Sequence, residues 1–186
     1  GAQLTDSVVA RRYANALFAL GKQAGAKELE QYGASLAQLD RLLAGSPDLD
    51  KVFKSPVVSL AEKRKVVAKL LKKIAADKVM TNFCLLLADK GRLPCLRDIA
   101  TYYGTLLDTE KGVIRGRLVT AVSLDAKKQG QLKSMLEKKA GKSIELAFDV
   151  DKSILGGVVL KVGDRVLDAS LRAQLAILRD TIKRGE

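Results

Sequence analysis

Apolar residues recur three and four positions apart through most of residues 1–110, the spacing that lines one face of a helix. Val9, Tyr13, Ala16, Leu17, Leu20 and Ala24 form the first such stripe, and Asp6 is placed to cap that helix. Residues 27–44 carry Leu29, Tyr32, Leu36, Leu39 and Leu43 in the same rhythm. Pro47 and Pro56 then interrupt the pattern, leaving space for a short helix between them. Ser59 and Glu62 make a capping-box pair for a helix whose stripe is Val66, Val67, Leu70, Leu71 and Ile74. Lys65, Lys69 and Lys72 fall on its far side as a solvated face. A fifth helix, Asp77–Lys90, is closed by Gly91, and a sixth, Leu93–Asp108, has Pro94 in its first turn. Leu96, Ile99, Tyr103 and Leu106 form the sixth stripe.

The rhythm changes after "LLDTEKG". Ile114, Leu118 and Val122 read as one side of a strand, and Ile144, Leu146 and Phe148 alternate as a second. Between them, residues 125–140 return to helical spacing with Leu132, Met135, Leu136 and Ala140. The stretch "SILGGVVLKVGDRVLDASLRAQL", Ser153–Leu175, holds glycines that invite comparison with a phosphate loop. Such a loop needs its glycines after a strand and before a helix, so that backbone N–H groups face the anion. Here Gly156 and Gly157 precede the strand-like "VVLKV", and neither GxGxxG nor GxxxxGK[ST] occurs in the chain. Gly163-Asp164 suits a tight turn between Val158–Val162 and Arg165–Asp168, and Gly156-Gly157 suits a bend or bulge. Asp168 or Ser170 then caps a last helix with Leu171, Leu175, Leu178 and Ile182 in one stripe. The expected fold is α+β: an N-terminal six-helix bundle over 1–108, then a small C-terminal α/β domain over 109–186 with a β-hairpin and terminal helix.

Composition narrows the chemistry. The 186 residues are 47% hydrophobic and 29% charged, a globular balance. There is no His, which removes the commonest general base and metal ligand. Cys84 and Cys95 match no metal or redox spacing and read as reduced, buried thiols. Scattered Ser, Lys, Asp and Glu form no catalytic constellation, so no enzyme, cofactor or metal site is expected. Apolar runs such as Phe83–Ala88 and Ile154–Leu160 fall well short of the ~18 residues of a membrane span. The net charge of +12 is spread over both halves and favours an acidic partner, nucleic acid or an anionic surface. A basic nucleic-acid-binding protein is the rival reading, but the charge is diffuse and the few aromatics fall mostly on core stripes.

Three stretches in order carry a family resemblance. "VARRYANALFALG" (Val9–Gly21) has an A-x-x-Y-A pattern, "NFCLLLADKGRL" (Asn82–Leu93) has a Gly-Arg-Leu exit, and "VDKSILGGVVLKVGDRVLDASLRAQL" (Val150–Leu175) pairs Gly-Gly with a later Lys-x-Gly. Together they resemble the delta subunit of F-type ATP synthases, the family of the mitochondrial oligomycin sensitivity-conferring protein, over essentially the whole chain. The resemblance implies a non-catalytic stator subunit that links the catalytic head to the peripheral stalk, so that the head does not rotate with the rotor. It implies that the N-terminal bundle binds the N-terminal segment of an alpha subunit and the C-terminal domain binds the ends of the b subunits. No presequence is visible, which puts the expected complex on the cytoplasmic face of a bacterial plasma membrane, with the chain reaching the membrane only through the complex.

The residues suggest where such partners would sit. Phe83 to Ala88 are all apolar and cover every face of a helix, so an outward side needs cover. Ala10, Ala14, Leu17 and Gly21 form a second, smaller-residue face on the first helix that lets another helix approach closely. The expected alpha-subunit groove is therefore Ala10, Tyr13, Ala14, Leu17, Phe83, Leu86, Leu87 and Lys90. Arg172, Arg179, Lys183 and Arg184 are the expected contacts for acidic b-subunit ends.

Overall fold

The structure, a computed structural model, describes residues 2–153 and 158–162, and it divides the chain into two compact units, 1–107 and 108–186. Six α-helices precede the first strand among the described residues: α1 (Ala2–Ala24), α2 (Ala26–Ala44), α3 (Pro47–Lys54), α4 (Leu60–Lys73), α5 (Lys78–Asp89) and α6 (Leu96–Lys111). A short 3-10 turn, Leu93–Cys95, leads into α6. Strand β1 (Val113–Thr120), helix α7 (Ala126–Ala140), β2 (Ser143–Val150) and β3 (Val158–Val162) follow.

Local chemistry explains most helix ends. The Ser46 hydroxyl accepts from the Leu49 N–H, and Pro47 opens α3, where a missing N–H costs nothing. Ser59 and Glu62 form the reciprocal capping box of α4. Asp77 accepts from the Met80 N–H at the start of α5, and Asp125 from the Lys128 N–H at the start of α7. Helix α5 ends with Gly91 at φ +68, where the Gly91 N–H reaches the Ala88 carbonyl and the Arg92 N–H reaches Leu87. That paired closure is the Schellman arrangement, which favours glycine. The expected Asp6 cap is corrected: α1 starts at Ala2, so Asp6 lies inside the helix.

The core of the first unit gathers the predicted stripe of α2 without change, as Leu29, Tyr32, Leu36, Leu39 and Leu43 are all buried. Phe53, Val67, Leu71, Met80, Leu87, Leu96, Ile99 and Tyr103 complete its centre. On α1 the smaller-residue face is the one enclosed, together with Leu17, which also belongs to the expected core stripe. Ala10, Ala14 and Leu17 are fully buried, with Gly21 beside them. Ala16, Leu20 and Ala24, expected in the core, are exposed, and Val9 and Tyr13 are half-buried. Small residues do admit a close neighbour, and the neighbour is the chain's own α2 and α6. A Cβ on Gly21 would lie 3.1 Å from the Leu29 Cα and 3.3 Å from the Tyr103 hydroxyl. Tyr103 also donates a 2.6 Å hydrogen bond to the Leu29 carbonyl, tying α6 to α2.

The second unit is a three-stranded sheet in the order β2-β1-β3. Strand β1 pairs in parallel with β2, from Val113 opposite Ser143 to Thr120 opposite Val150. Parallel neighbours need a crossover, and α7 supplies it. Strand β3 runs antiparallel on the other side of β1, with Leu160 opposite Leu118. Leu118, Leu124, Leu132, Leu136 and Ile144 form a separate small core, with Ile114, Leu146, Phe148 and Leu160 against it. Two residues expected on core stripes face outward: Val122 lies beyond the end of β1, and Met135 sits on the open side of α7. The Gly156-Gly157 bend, the Gly163-Asp164 turn, the second hairpin arm and the terminal helix lie outside the described residues.

Candidate partner-binding surface

Nothing among the described residues is arranged for catalysis on a metal or a thiol. No group of three His, Cys, Asp or Glu residues is placed to hold a metal ion. Cys84 and Cys95 are both buried thiols. Burial pushes the Cys84 thiol up to about 12, so it stays protonated and inert at neutral pH. Among the described residues, no helix is long and apolar enough to cross a membrane.

The surface of α1 and α5 offers more. The two helices meet where the Tyr13 and Phe83 rings pack edge to face, centroids 6.2 Å apart. Around this junction lie large apolar side chains without cover: Leu20 (50% exposed) on α1, Val79 (37%) and Leu86 (45%) on α5. Val79 and Leu86 are seven residues apart and so share a helix face, with exposed Asn82 between them. The far side of α1 is fastened to α6. Ser7 and Tyr102 share a 2.6 Å hydroxyl hydrogen bond, and the Arg11 guanidinium lies 4.9 Å over the Tyr102 ring. The Ser7 bond first, then Arg11, hold the Tyr102 phenol below its ordinary value. Phe18 packs edge to face on Tyr103.

The expected groove residues therefore separate. Ala10, Ala14, Leu17 and Leu87 are fully enclosed in the bundle core, and Phe83 is 9% exposed, so these five do not wall an open groove. Tyr13 is half-buried, while Leu86 and Lys90 face solvent. Val79 and the outward stripe of Ala16 and Leu20 were not expected at a partner surface. The signal for Val79 was its spacing from Leu86. Arg172, Arg179, Lys183 and Arg184 lie outside the described residues.

A model of the ATP synthase delta (OSCP) subunit family matches residues 9–182. The chain belongs to this family. A protein called ATP synthase subunit delta from Nitratidesulfovibrio vulgaris (strain Miyazaki F) is 58% identical over 98% of this chain and 100% of its own length. One of the same name from Desulfovibrio desulfuricans is 60% identical over the same shares. A chain of the cryo-EM structure of the Toxoplasma gondii mitochondrial ATP synthase hexamer matches with a TM-score of 0.66 at 30% identity, covering 93% of this chain and 96% of that one. As a delta (OSCP) subunit, the chain is a stator component of the peripheral stalk, and its role is structural rather than catalytic. Its partners are other ATP synthase subunits.

Proposed function

We propose that the N-terminal unit grips the N-terminal segment of an alpha subunit of the catalytic head, and that the unit from residue 108 onward grips the ends of the b subunits. Held at both ends, the chain ties the head to the stalk and blocks its rotation with the rotor. The observation that carries the first half is the uncovered apolar surface on α1 and α5, with Leu20 and Leu86 near half exposed on either side of the Tyr13–Phe83 junction. An amphipathic helix laid on such a surface buries its apolar face and covers these side chains. Tyr13, Leu86 and Lys90 remain contacts in this reading, joined by Leu20 and Val79. Ala10, Ala14, Leu17, Phe83 and Leu87 act from beneath, by fixing the spacing of α1 and α5. For the second half, Arg172, Arg179, Lys183 and Arg184 supply positive charge toward acidic b-subunit ends. The assembly lies on the cytoplasmic face of a bacterial plasma membrane, reached only through the complex.

A joint under torque must release slowly, and apolar contact in two places achieves that through slow dissociation and a raised effective concentration. The test is calorimetric titration of the full chain with a peptide copying the N-terminal segment of the cognate alpha subunit. One-to-one binding is expected, weakened at least tenfold by Leu86→Asp. Equal binding by that variant discards the surface, and absence of binding to both the peptide and the intact head discards the reading.

A further inference from the structure

We propose a second binding site on the N-terminal unit: a cleft at the C-terminal ends of α2 and α4 that takes an acidic peptide segment, one apolar side chain flanked by carboxylates. The cleft measures about 430 Å³. Gln38, Arg41 and Leu42 line it from the last turns of α2, and Lys73, Ile74 and Ala75 line it from the end of α4. It shares no residue with the α1/α5 surface, and the proposal does not rest on that surface.

Three features point to this ligand. First, the lining contains two cations and no acid, and neither Arg41 nor Lys73 makes an ion pair among the described residues. Helix C-termini carry partial negative charge, roughly half a unit each, so two full positive charges leave the cleft net positive. Exposed Lys69 and Lys72 extend the positive field along α4. Second, half-buried Leu42 and Ile74 give the cleft an apolar floor that a free inorganic anion would not use. The lining also has no aromatic ring on which a nucleobase would stack. Third, Ala75 holds φ +51, the only non-glycine residue at positive φ among those described. It closes α4 through the Ala75 N–H to Lys72 and the Ala76 N–H to Leu71, the arrangement that α5 completes with Gly91. Glycine is the cheaper residue there, and the closure sets Ala75 as a wall of the cleft at the end of α4.

The experiment is an NMR titration of the labelled full chain with the blocked pentapeptide Glu-Glu-Leu-Glu-Glu, at about 0.1 M salt so that diffuse attraction is screened. Saturable amide shifts confined to residues 38–42 and 73–75 are expected, with affinity falling roughly tenfold in Arg41→Gln/Lys73→Gln. The analogue Gln-Gln-Leu-Gln-Gln should produce no shifts there, a control that needs no variant of the protein. Four outcomes overturn the proposal: no shifts, shifts spread over exposed lysines of both units, equal binding of the glutamine peptide, or unchanged affinity in the folded double variant. Tighter binding of a thymidine oligonucleotide in the same cleft would also overturn it, in favour of a nucleic-acid site.

Discussion

At Gly21 a methyl group would sit 2.8 Å from the Leu29 Cδ1 and 3.1 Å from the Leu29 Cα, so the approach of α1 to α2 depends on a missing side chain. Gly130 on α7 and Gly104 on α6 are helical too, yet an added Cβ meets nothing within 4 Å at either. Alanine in an open helix interior gains up to about 1 kcal/mol over glycine, whereas overpacking costs about 1–3 kcal/mol. Gly130→Ala and Gly104→Ala should therefore raise the urea midpoint, and Gly21→Ala should lower it. Cys84 makes a different prediction. An exposed thiol in the unfolded chain loses its proton near pH 9, while the folded thiol holds it to about 12. The folded state thus keeps its full advantage below pH 9 and loses it as pH rises toward 12, on the order of 4 kcal/mol in all. Unfolding titrations between pH 8 and pH 10 should show a falling stability that Cys84→Ala flattens. The stripe of α2, the capping box at Ser59 and the Gly91 closure of α5 were legible in the sequence because they depend on neighbours three or four residues away. The burial of Lys63, at 7% exposure, was not, because a lysine in a helix ordinarily keeps its charge in solvent.

For single elements, α1 carries the instructive case. Its sequence holds two apolar stripes that share Leu17, Val9-Tyr13-Ala16-Leu17-Leu20-Ala24 and Ala10-Ala14-Leu17-Gly21, and periodicity alone favours the bulkier one for the core. The structure buries the smaller one, and at Gly21 α2 and α6 come too close for any side chain. Periodicity reports that a face is apolar; the spacing to its neighbour decides which face is enclosed. A consequence follows for mutagenesis. Ala14→Trp acts in the core, where the added bulk has no space, and should lower stability by several kcal/mol as read by thermal melting. Leu20→Asp acts on the open face, leaves the melting temperature nearly unchanged, and should weaken alpha-subunit peptide binding if that face is the docking surface. Strand partners were less legible than helix faces. Alternation marked Val158–Val162 as a strand, but nothing local said that it would lie beside β1, since that pairing joins residues far apart in the chain.

Across the whole molecule, the two cores share no residue: one is built from α1 to α6 and the other from the sheet and α7. Damage to one should leave the other intact. Leu36→Ala removes a fully packed side chain, costs about 2–5 kcal/mol, and should speed hydrogen exchange in residues 1–107 while leaving β1 and β2 protected. The six-helix order was legible because each helix is specified locally, as was the α+β class. The parallel β1–β2 ladder became visible only with the structure.

That ladder also sets an order of birth. Every helix of the first core is complete by the time Lys111 has been made, so the bundle can close as soon as it clears the ribosome. Strand β1 comes next and sits in the middle of the sheet, yet its partners are the last described strands, Ser143–Val150 and Val158–Val162. At about 5–20 residues per second, Leu118 and Val119 spend seconds as an unpaired apolar edge before those later strands have also emerged. Nascent chains halted in that interval are the form in which this protein most needs a chaperone.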